Sequence, residues 1–342
     1  MTVAGTGPRL TTLEPPLPRE IQLEVTRSCN LRCTMCLVRY RDVPNRREGS
    51  MPFETFRAVV EDLPDLRAIT LQGLGEPLLA PDVFRMVEYA SERGITIGFN
   101  TNATLLTRER AERLIHAGLD WLHVSIDGAT AETYESIRDG ADFARVRRNL
   151  AGMVDAKRRL RSNTPELTLI FVAMRRNVDE LPAFVRLAGE VGVDRVHVQN
   201  LSHSFDDAVD LPGYDAIRSF TLGEALWVGG SAPPAFDEAR AEADRLGVAL
   251  RLPKTTERPP RRSSGTPGCF WPWEEAYVHH DGKVQPCCMI MGEDRAVLGD
   301  VHADGGFGAV WNSDPYRDFR RRLLTDDPPE ICRGCSLYRG VF

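Results

Sequence analysis

The sequence lacks the features that would place the protein in a membrane, outside the cell or in a repeat fold. No apolar run among its 342 residues approaches the roughly 18 residues of a membrane span. The first twenty residues contain no apolar segment of the kind that begins a signal peptide, and no unit of about 20–50 residues repeats. We therefore expect a cytoplasmic protein without a membrane partner.

The sequence also lacks an excess of one charge. Its 43 basic residues face 49 acidic residues, which gives a net charge of −6 and no reason to expect nucleic acid as a partner. Apolar residues make up 42% and charged residues 27%, a composition that excludes a mainly disordered chain. In a reducing compartment the eight cysteines are expected to be metal ligands or catalytic thiols, not disulfides.

Short apolar runs alternate with amphipathic segments from residue 20 to about residue 200. The predicted strands are Ile21–Thr26, Ala68–Gln72, Ile95–Asn100, Trp121–Ile126, Leu167–Ala173 and Arg195–Gln199. The predicted helices include Glu54–Leu63, Asp82–Arg93, Arg108–Ala117 and Val178–Val191. This alternation is typical of a parallel sheet built from βαβ units. Because six units are fewer than the eight of a closed barrel, we predict an α/β fold with a partial (β/α)6 TIM-type barrel.

The second half of the chain is organised differently. Residues 201–228 are acidic and irregular; a predicted helix near Ala235–Leu246, a short strand near Val248–Leu252 and a linker over Lys254–Gly268 follow. We predict an N-terminal arm (1–19), a barrel (20–232), a connecting region (233–268) and a small α+β domain (269–342). The small domain holds five of the eight cysteines, and a metal site would compensate for its limited core.

Three cysteines form a C-x3-C-x2-C motif in the loop after the first predicted strand. They are Cys29, Cys33 and Cys36. Three thiolates can hold a [4Fe–4S] cluster and leave one iron open to a substrate or cofactor. The alternative is a zinc site, although zinc usually takes two matched cysteine pairs and no second pair lies close in sequence.

This motif and its position resemble the radical S-adenosylmethionine (SAM) superfamily. Met35 stands where that family commonly has an aromatic residue. The resemblance implies that Cys29, Cys33 and Cys36 ligate a [4Fe–4S] cluster whose open iron is chelated by SAM. It also implies reductive cleavage of SAM to a 5′-deoxyadenosyl radical, with electrons from a flavodoxin- or ferredoxin-type donor.

Segments after the later strands resemble the SAM-binding motifs of the same family. Gly73–Pro77 is similar to the family's GGEP motif, with Leu74 replacing one glycine, and Asn100–Asn102 is similar to its TNG segment, with Ala103 replacing glycine. The residues that the resemblance places at SAM are Gly75, Glu76, Asn102, Ser125, Asp127, Arg138 and Gln199.

Two of these assignments also have a physical basis in the sequence. A carboxylate can pair with an ammonium group, so Glu76 is the candidate for the SAM amino group. Strand alternation predicts that Ser125 and Asp127 share one face. The alternatives are ordinary turns and strand-end caps, and for Arg138 a solvated cation at a helix end.

The C-terminal cysteines can form a second site. Cys269, Cys287, Cys332 and Cys335 would close a [4Fe–4S] cluster or hold structural zinc. In the context of a radical SAM core, this segment resembles the twitch domain, the shorter relative of the SPASM domain, with one auxiliary [4Fe–4S] cluster. We choose Cys287 because it completes a G-x4-C element, Gly282 to Cys287, on a predicted hairpin over Ala276–Cys288, although the adjacent thiol keeps the choice open.

That choice leaves Cys288 unassigned. It is either a small buried apolar group or a hydrogen-atom donor to a substrate radical, as in some radical SAM epimerases. We expect Trp271 and Trp273 to cover the second cluster. Substrate contacts are expected from residues 203–215 and from Met174-Arg175. For His203 and Arg175 the alternatives are a role in removing a proton and a position at the surface or facing SAM, and we favour the second.

An auxiliary cluster offers an electron acceptor, which favours net oxidation of an alcohol to a ketone. The spacing of the last four ligands is similar to that of the twitch-domain dehydrogenase of aminocyclitol antibiotic assembly. We therefore expect a small sugar-like or aminocyclitol substrate in specialised metabolism. The alternatives are an epimerase with a cysteine hydrogen donor, a decarboxylase, a peptide-modifying enzyme or, outside catalysis, a zinc-stabilised binding protein.

Overall fold

A computed structural model describes residues 12–40, 49–211, 213–226, 232–254, 269–290, 292 and 294–342. Most of the predicted N-terminal arm, and the predicted linker apart from Lys254, lie outside these residues. Among the described residues, no helix combines the length and the apolar character needed to span a membrane.

Ten strands in the described part of the chain form one sheet. They are β1 (Glu20–Leu23), β2 (Ala68–Leu71), β3 (Thr96–Thr101), β4 (Trp121–Ser125), β5 (Glu166–Ala173), β6 (Arg195–Asn200), β7 (Ala249–Arg251), β8 (Glu275–Val278), β9 (Lys283–Gln285) and β10 (Gly299–Asp300). The spatial order is β10-β9-β8-β1-β2-β3-β4-β5-β6-β7, and β1 to β7 pair in parallel. The partial TIM-type barrel predicted from the sequence is confirmed, with β7 added beyond the sixth strand.

Helices cover the outer face of this sheet. The described helices are α1 (Phe53–Glu61), α2 (Val83–Ser91), α3 (Arg108–His116), α4 (Ala131–Ile137), α5 (Phe143–Leu160), α6 (Leu181–Val191), α7 (Asp215–Glu224), α8 (Pro234–Leu246), α9 (Trp271–Glu274), α10 (Phe307–Trp311), α11 (Asp314–Leu323) and α12 (Glu330–Arg333). Alternate strand residues such as Ile69, Phe99 and Leu122 pack with helix residues in the main core. Because strand side chains alternate between faces, the residues between them point into the barrel.

The predicted strands and helices of residues 20–200 are all present, with ends shifted by a few residues. The expectation of an irregular segment over residues 201–228 is wrong in part, because α7 lies inside it. Its buried positions are only Ile217 and Thr221. Two buried positions in ten residues give too weak a period for a helix to be recognised from sequence.

The C-terminal segment continues the barrel sheet. Strand β8 pairs in parallel with β1, with Glu275 opposite Glu20 and Val278 opposite Leu23. The predicted hairpin is present as β8 and β9, and Gly282 in its turn has a positive φ of 90°. The sheet therefore crosses the boundary predicted at residue 269, and the division into four regions stays a prediction.

Candidate functional site

A cavity of about 990 Å3 lies inside the barrel. The inward-facing side chains along its wall are largely polar; they include Gln22, Gln72, Asn100, His123, Thr168 and His197. The interior of a closed TIM barrel is instead filled by layers of branched apolar side chains. This barrel therefore has an open interior whose wall offers hydrogen-bonding groups to a ligand.

All three thiols of the first motif line this cavity. The loop that carries them is held against the end of α4, because the amides of Arg32 and Thr34 donate to the carbonyls of Asp139 and Ile137, both at 2.9 Å. Burial raises the pKa of the Cys29 and Cys36 thiols to about 12. Metal binding at these thiols must therefore release protons.

Asn102 lines the cavity beside this loop. Its side-chain amide donates to the Asn30 side-chain oxygen at 3.1 Å and lies 4.0 Å from the Cys29 sulfur. Its oxygen accepts from the Thr104 hydroxyl at 2.6 Å and from the Thr104 amide at 2.9 Å. Ala103, which replaces the family's glycine, adopts a left-handed φ of 58°, the conformation that glycine adopts without strain.

Glu76 also lines the cavity, but its carboxylate is already hydrogen-bonded. It accepts from the amides of Asn102 (2.7 Å) and Leu78 (3.1 Å) and from the hydroxyl of Thr101 (2.7 Å). Burial raises its pKa, and these hydrogen bonds oppose the rise. Glu76 thus joins the turn after β2 to the end of β3, and a SAM amino group would have to share or displace these donors.

Gly75 makes the closest backbone approach in this turn. A Cβ atom there would lie 2.2 Å from the carbonyl oxygen of Thr26 and 2.7 Å from that of Ser28. Both obstacles are backbone atoms, which cannot rotate away. The glycine therefore lets the turn pack against the segment leading into the cysteine loop.

Ser125 and Asp127 do not share a face as predicted. Ser125 ends β4 and lines the cavity, whereas Asp127 is fully buried behind the wall. The reason is that β4 ends at Ser125. The alternation of side chains between the two faces of the strand therefore does not extend to Asp127. One oxygen of Asp127 accepts from the Val172 amide at 2.8 Å, and the other lies 2.7 Å from Nη2 of Arg138.

Arg138 is not the solvated helix-end cation of the alternative interpretation. It is 8% exposed, lines the cavity, and its Nη1 donates to the Cys33 sulfur at 3.9 Å. Burial disfavours its charged form, but Asp127, Cys33 and Tyr134 together outweigh that effect and raise its pKa. Its buried Nε has no hydrogen-bond partner among the described residues, which leaves a donor for an anionic ligand. Gln199 lines the same cavity.

The C-terminal thiols divide between two cavities. Cys269, Cys287, Cys332 and Cys335 line a second, smaller cavity, whereas Cys288 lines the large one. Met289 lines both. Met289 therefore lies between the two cavities that hold the cysteine sites.

The two tryptophans near Cys269 also divide between these sites. Trp273 is 4% exposed and packs with the residues around the second thiol group, as expected. The expectation for Trp271 is wrong, because this side chain lines the large cavity.

The two thiol groups suit iron–sulfur clusters by their donor type. Sets of three and four cysteines without nitrogen or carboxylate partners match the ligand sets of a cluster with one open iron and of a fully ligated cluster. Among the described residues, no three His, Cys, Asp or Glu side chains lie close enough together to hold a single metal ion.

Sequence reasoning missed Glu275, although this carboxylate lines the cavity. Three other carboxylates on the wall are engaged: Glu76 as described above, Asp120 by the Ile97 amide (2.8 Å) and Glu166 by Arg195 (3.0 Å). No hydrogen bond or ion pair involves the Glu275 side chain in the described chain. Burial, followed by its acidic neighbours Glu20 and Glu274, raises its pKa to about 7. The sequence signal that could have indicated Glu275 is its two-residue spacing from Tyr277 along β8, which places both side chains on the cavity face.

The substrate contacts expected after β5 and β6 are not found. Met174 is fully buried, Arg175 is exposed at the surface, and no described residue of 203–215 lines the large cavity. His203 is neither at the surface nor beside the residues predicted to contact SAM; it lines the smaller cavity with the second thiol group. His123 and His197 are the histidines on the wall of the large cavity, and burial lowers the pKa of each to about 4.

Comparison with family models agrees with this arrangement. The model of the radical SAM superfamily matches residues 23–188, and the model of the SPASM iron–sulfur cluster-binding domain matches residues 269–336. The chain belongs to the radical SAM superfamily and carries a C-terminal SPASM-type domain. It is a radical SAM enzyme whose cofactors are SAM and two [4Fe–4S] clusters.

Curated relatives resemble almost the whole chain. A tungsten-containing aldehyde ferredoxin oxidoreductase cofactor-modifying protein of Pyrococcus furiosus is 26% identical over 93% of this chain and 87% of its own length. An AdoMet-dependent heme synthase of Methanosarcina barkeri is 29% identical over 94% of this chain and 88% of its own length. A PqqA peptide cyclase of Gluconobacter oxydans is 26% identical over 94% and 84%.

Among solved structures, the fold is similar to that of Streptococcus suis SuiB bound to S-adenosylmethionine. The TM-score is 0.65 at 16% identity, covering 95% of this chain and 72% of that chain. At this identity the likeness supports the fold and no particular reaction.

Proposed function

We propose that the protein oxidises an alcohol carbon of a small polar, sugar-like or aminocyclitol substrate to a ketone. The reaction belongs in the reducing cytoplasm, with a flavodoxin- or ferredoxin-type protein as electron donor. The observation that carries the proposal is the large cavity inside the barrel. Its wall includes the first thiol group, the unpartnered carboxylate of Glu275 and, through Met289, the boundary of the second thiol group.

We assign the following roles to residues of the chain. Cys29, Cys33 and Cys36 hold the first cluster, and Cys269, Cys287, Cys332 and Cys335 hold the second. The SAM contacts come from cavity residues: Gly75, Glu76, Asn102, Ser125, Arg138 and Gln199. Asp127 acts indirectly, because its carboxylate fixes Arg138 beside Cys33.

The first cluster and SAM, held by the residues named above, would supply a radical able to abstract a hydrogen atom, and the second cluster would supply an acceptor for one electron. The chain must then accept the proton of the substrate hydroxyl. The Glu275 carboxylate suits this role because it faces the cavity, has no partner to displace and has a pKa of about 7. One hydrogen atom, one electron and one proton leave the alcohol, and the carbon–oxygen bond becomes the double bond of a ketone.

The decisive experiment uses anaerobically reconstituted protein with dithionite. We expect about eight irons and eight sulfides per chain and release of 5′-deoxyadenosine from SAM. A panel of aminocyclitols and sugars should include a compound that yields one ketone per SAM consumed. Protein with one or two zinc ions and no SAM cleavage would instead be a zinc-stabilised binding protein.

A second candidate is an epimerase in which Cys288 donates a hydrogen atom to the substrate radical. It is favoured by the position of Cys288, which lines the large cavity and not the cavity of the other four C-terminal thiols. An epimerase incorporates solvent deuterium at carbon and loses turnover in Cys288→Ala. A dehydrogenase forms a ketone and keeps turnover in that variant.

The printed names of some relatives concern heme synthesis or a peptide. The substrate panel should therefore include an iron porphyrin and short peptides beside the aminocyclitols. Turnover of a peptide or porphyrin, with none of an alcohol, would overturn the proposed substrate class and retain the SAM chemistry.

A further inference from the structure

The loop that follows β6 is paired with the segment that carries the last two cysteines. His203 and Cys335 form an isolated antiparallel bridge, and the Ser204 amide donates to the Gly334 carbonyl at 2.9 Å. The Ser336 amide and hydroxyl both donate to the Ser202 carbonyl, at 3.1 and 2.9 Å. A loop of the barrel is thus attached to the C-terminal thiol site by backbone hydrogen bonds.

The His203 side chain is fixed within this loop. It is 2% exposed, and the Phe205 amide donates to its Nδ1 at 2.8 Å. The ring proton is therefore on Nε2, which donates to the Ile331 carbonyl at 2.7 Å. Ile331 is the residue before Cys332. Phe205 adopts a left-handed φ of 60°, an uncommon conformation for an aromatic residue that surrounding contacts must maintain.

The His203 ring also packs against the turn between Cys332 and Cys335. A Cβ atom at Gly334 would lie 2.9 Å from Cε1 of His203 and 2.5 Å from the Ser204 hydroxyl oxygen. Of the two residues between Cys332 and Cys335, Gly334 is the one that the loop approaches. A larger side chain at this position would clash with His203 and Ser204.

The same loop reaches the other cysteine segment through a buried ion pair. Nη2 of Arg295 contacts both carboxylate oxygens of Asp207, at 2.7 and 2.5 Å. Nη1 of the same arginine donates at 2.6 Å to the carbonyl of Ile290, which follows Cys287 closely in sequence. Both side chains are less than 10% exposed. Residues 203–207 therefore contact both segments that supply thiols to the second site.

We propose that His203 is a positioning residue for the second iron–sulfur site: its hydrogen bond to Ile331 holds the Cys332–Cys335 segment against the barrel, while Asp207 and Arg295 hold the Cys287 segment. Hydrogen bonds and packing around metal ligands set their orientation, and with it cluster affinity and reduction potential. The inference rests on the proposed function only in placing a cluster at the C-terminal thiols.

The test uses the full chain with Cys29, Cys33 and Cys36 all replaced by alanine. This parent should carry only the second cluster, about four irons per chain, and perform no SAM chemistry. The variants are His203→Phe, which removes the donor and keeps a ring, and His203→Gln, which restores a donor. His116→Phe is the matched control, because His116 is exposed at the end of α3.

We expect His203→Phe to lose iron to a chelator about 10-fold faster than the parent and to change the electron paramagnetic resonance spectrum of the reduced cluster. His203→Gln and His116→Phe should resemble the parent. Parent-like iron loss and spectrum in His203→Phe would overturn the proposal, as would equal damage in His203→Gln, because ring volume and not the hydrogen bond would then matter.

If His203→Phe does not fold, the rate of iron loss from Asp207→Asn provides a second test. This substitution weakens the contact to the Cys287 segment and leaves the His203 ring in place, so faster iron loss supports the proposal and parent-like loss overturns it. A parent without any iron–sulfur absorbance would also overturn it. The proposed reaction is tested separately on the wild-type protein, and it is contradicted if that protein does not cleave SAM.

Discussion

Arg138 connects the buried carboxylate of Asp127 to the thiol of Cys33. Its Nη2 lies 2.7 Å from Asp127, and its Nη1 lies 3.9 Å from the Cys33 sulfur. A fully buried acid therefore supports a cation on the cavity wall. This arrangement stabilises negative charge on the thiol, and removing either partner would leave the other charge buried without compensation.

Arg138→Met should lower the free energy of unfolding by about 3–5 kcal/mol, because the Asp127 carboxylate would then be buried without a cation. The double variant Asp127→Asn/Arg138→Met should lose less than the sum of the two single variants. Denaturant unfolding of anaerobic protein measures both effects. Arg39→Met is the control: Arg39 pairs with Asp139 at 2.8 Å, but the side chains are 35% and 57% exposed, so its loss should be below about 1 kcal/mol. Equal losses in the two arginine variants would contradict the prediction.

The division of Cys287 and Cys288 between two cavities predicts different iron contents. Cys287→Ser should reduce the iron of the reconstituted chain from about eight to about four, because the second cluster loses a ligand. Cys288→Ser should retain about eight. Iron and sulfide analysis of the two proteins provides the measurement, and the opposite pattern would assign Cys288 as the ligand.

Gly75→Ala should disrupt the turn that follows β2, because the new Cβ atom would clash with the carbonyl oxygens of Thr26 and Ser28. We expect a lower melting temperature and loss of SAM cleavage without substrate. Gly152→Ala in α5 is the matched control: no atom lies within 4 Å of a Cβ there, so helix propensity predicts a gain of about 0.5–1 kcal/mol. A Gly75→Ala protein that cleaves SAM as the wild type does would refute this role for the turn.

Glu275→Gln should change how stability depends on pH. The pKa of Glu275 is about 7 in the folded protein against an ordinary 4.5. The folded state therefore holds the proton more tightly than the unfolded chain, and this contribution to stability is lost as pH rises from about 4.5 to about 7. Glutamine does not ionise. The free energy of unfolding of the variant, relative to the wild type, should thus increase across that interval by on the order of 1–2 kcal/mol, after allowance for partial exposure to the cavity. Above that interval it should stay constant.

Thermal unfolding from pH 4 to 9 measures this difference between the two proteins. A constant difference over that range would contradict a raised pKa.

The repeating features of the fold were predictable from local patterns. The predicted strands and helices of the first two hundred residues were present because their apolar periods are set by burial on one face of each element. Helix α7 was missed because it buries few side chains. The parallel pairing of β8 with β1 was also not predictable, because 254 residues lie between Leu23 and its register partner Val278 with no local sign of contact.

The sequence alone indicated the class of chemistry. By residue type and by distance along the chain, the spacing of Cys29, Cys33 and Cys36 and of the C-terminal cysteines predicts the ligands of two iron–sulfur clusters. Only the tertiary structure decided which side chains share a cavity. It turned Asp127 behind the wall, brought Arg138 and Glu275 onto it, and placed His203 against the second thiol group. The physical reason is that strand ends and loops stop the regular alternation of side chains. Beyond those points, orientation depends on hydrogen bonds and packing with distant segments.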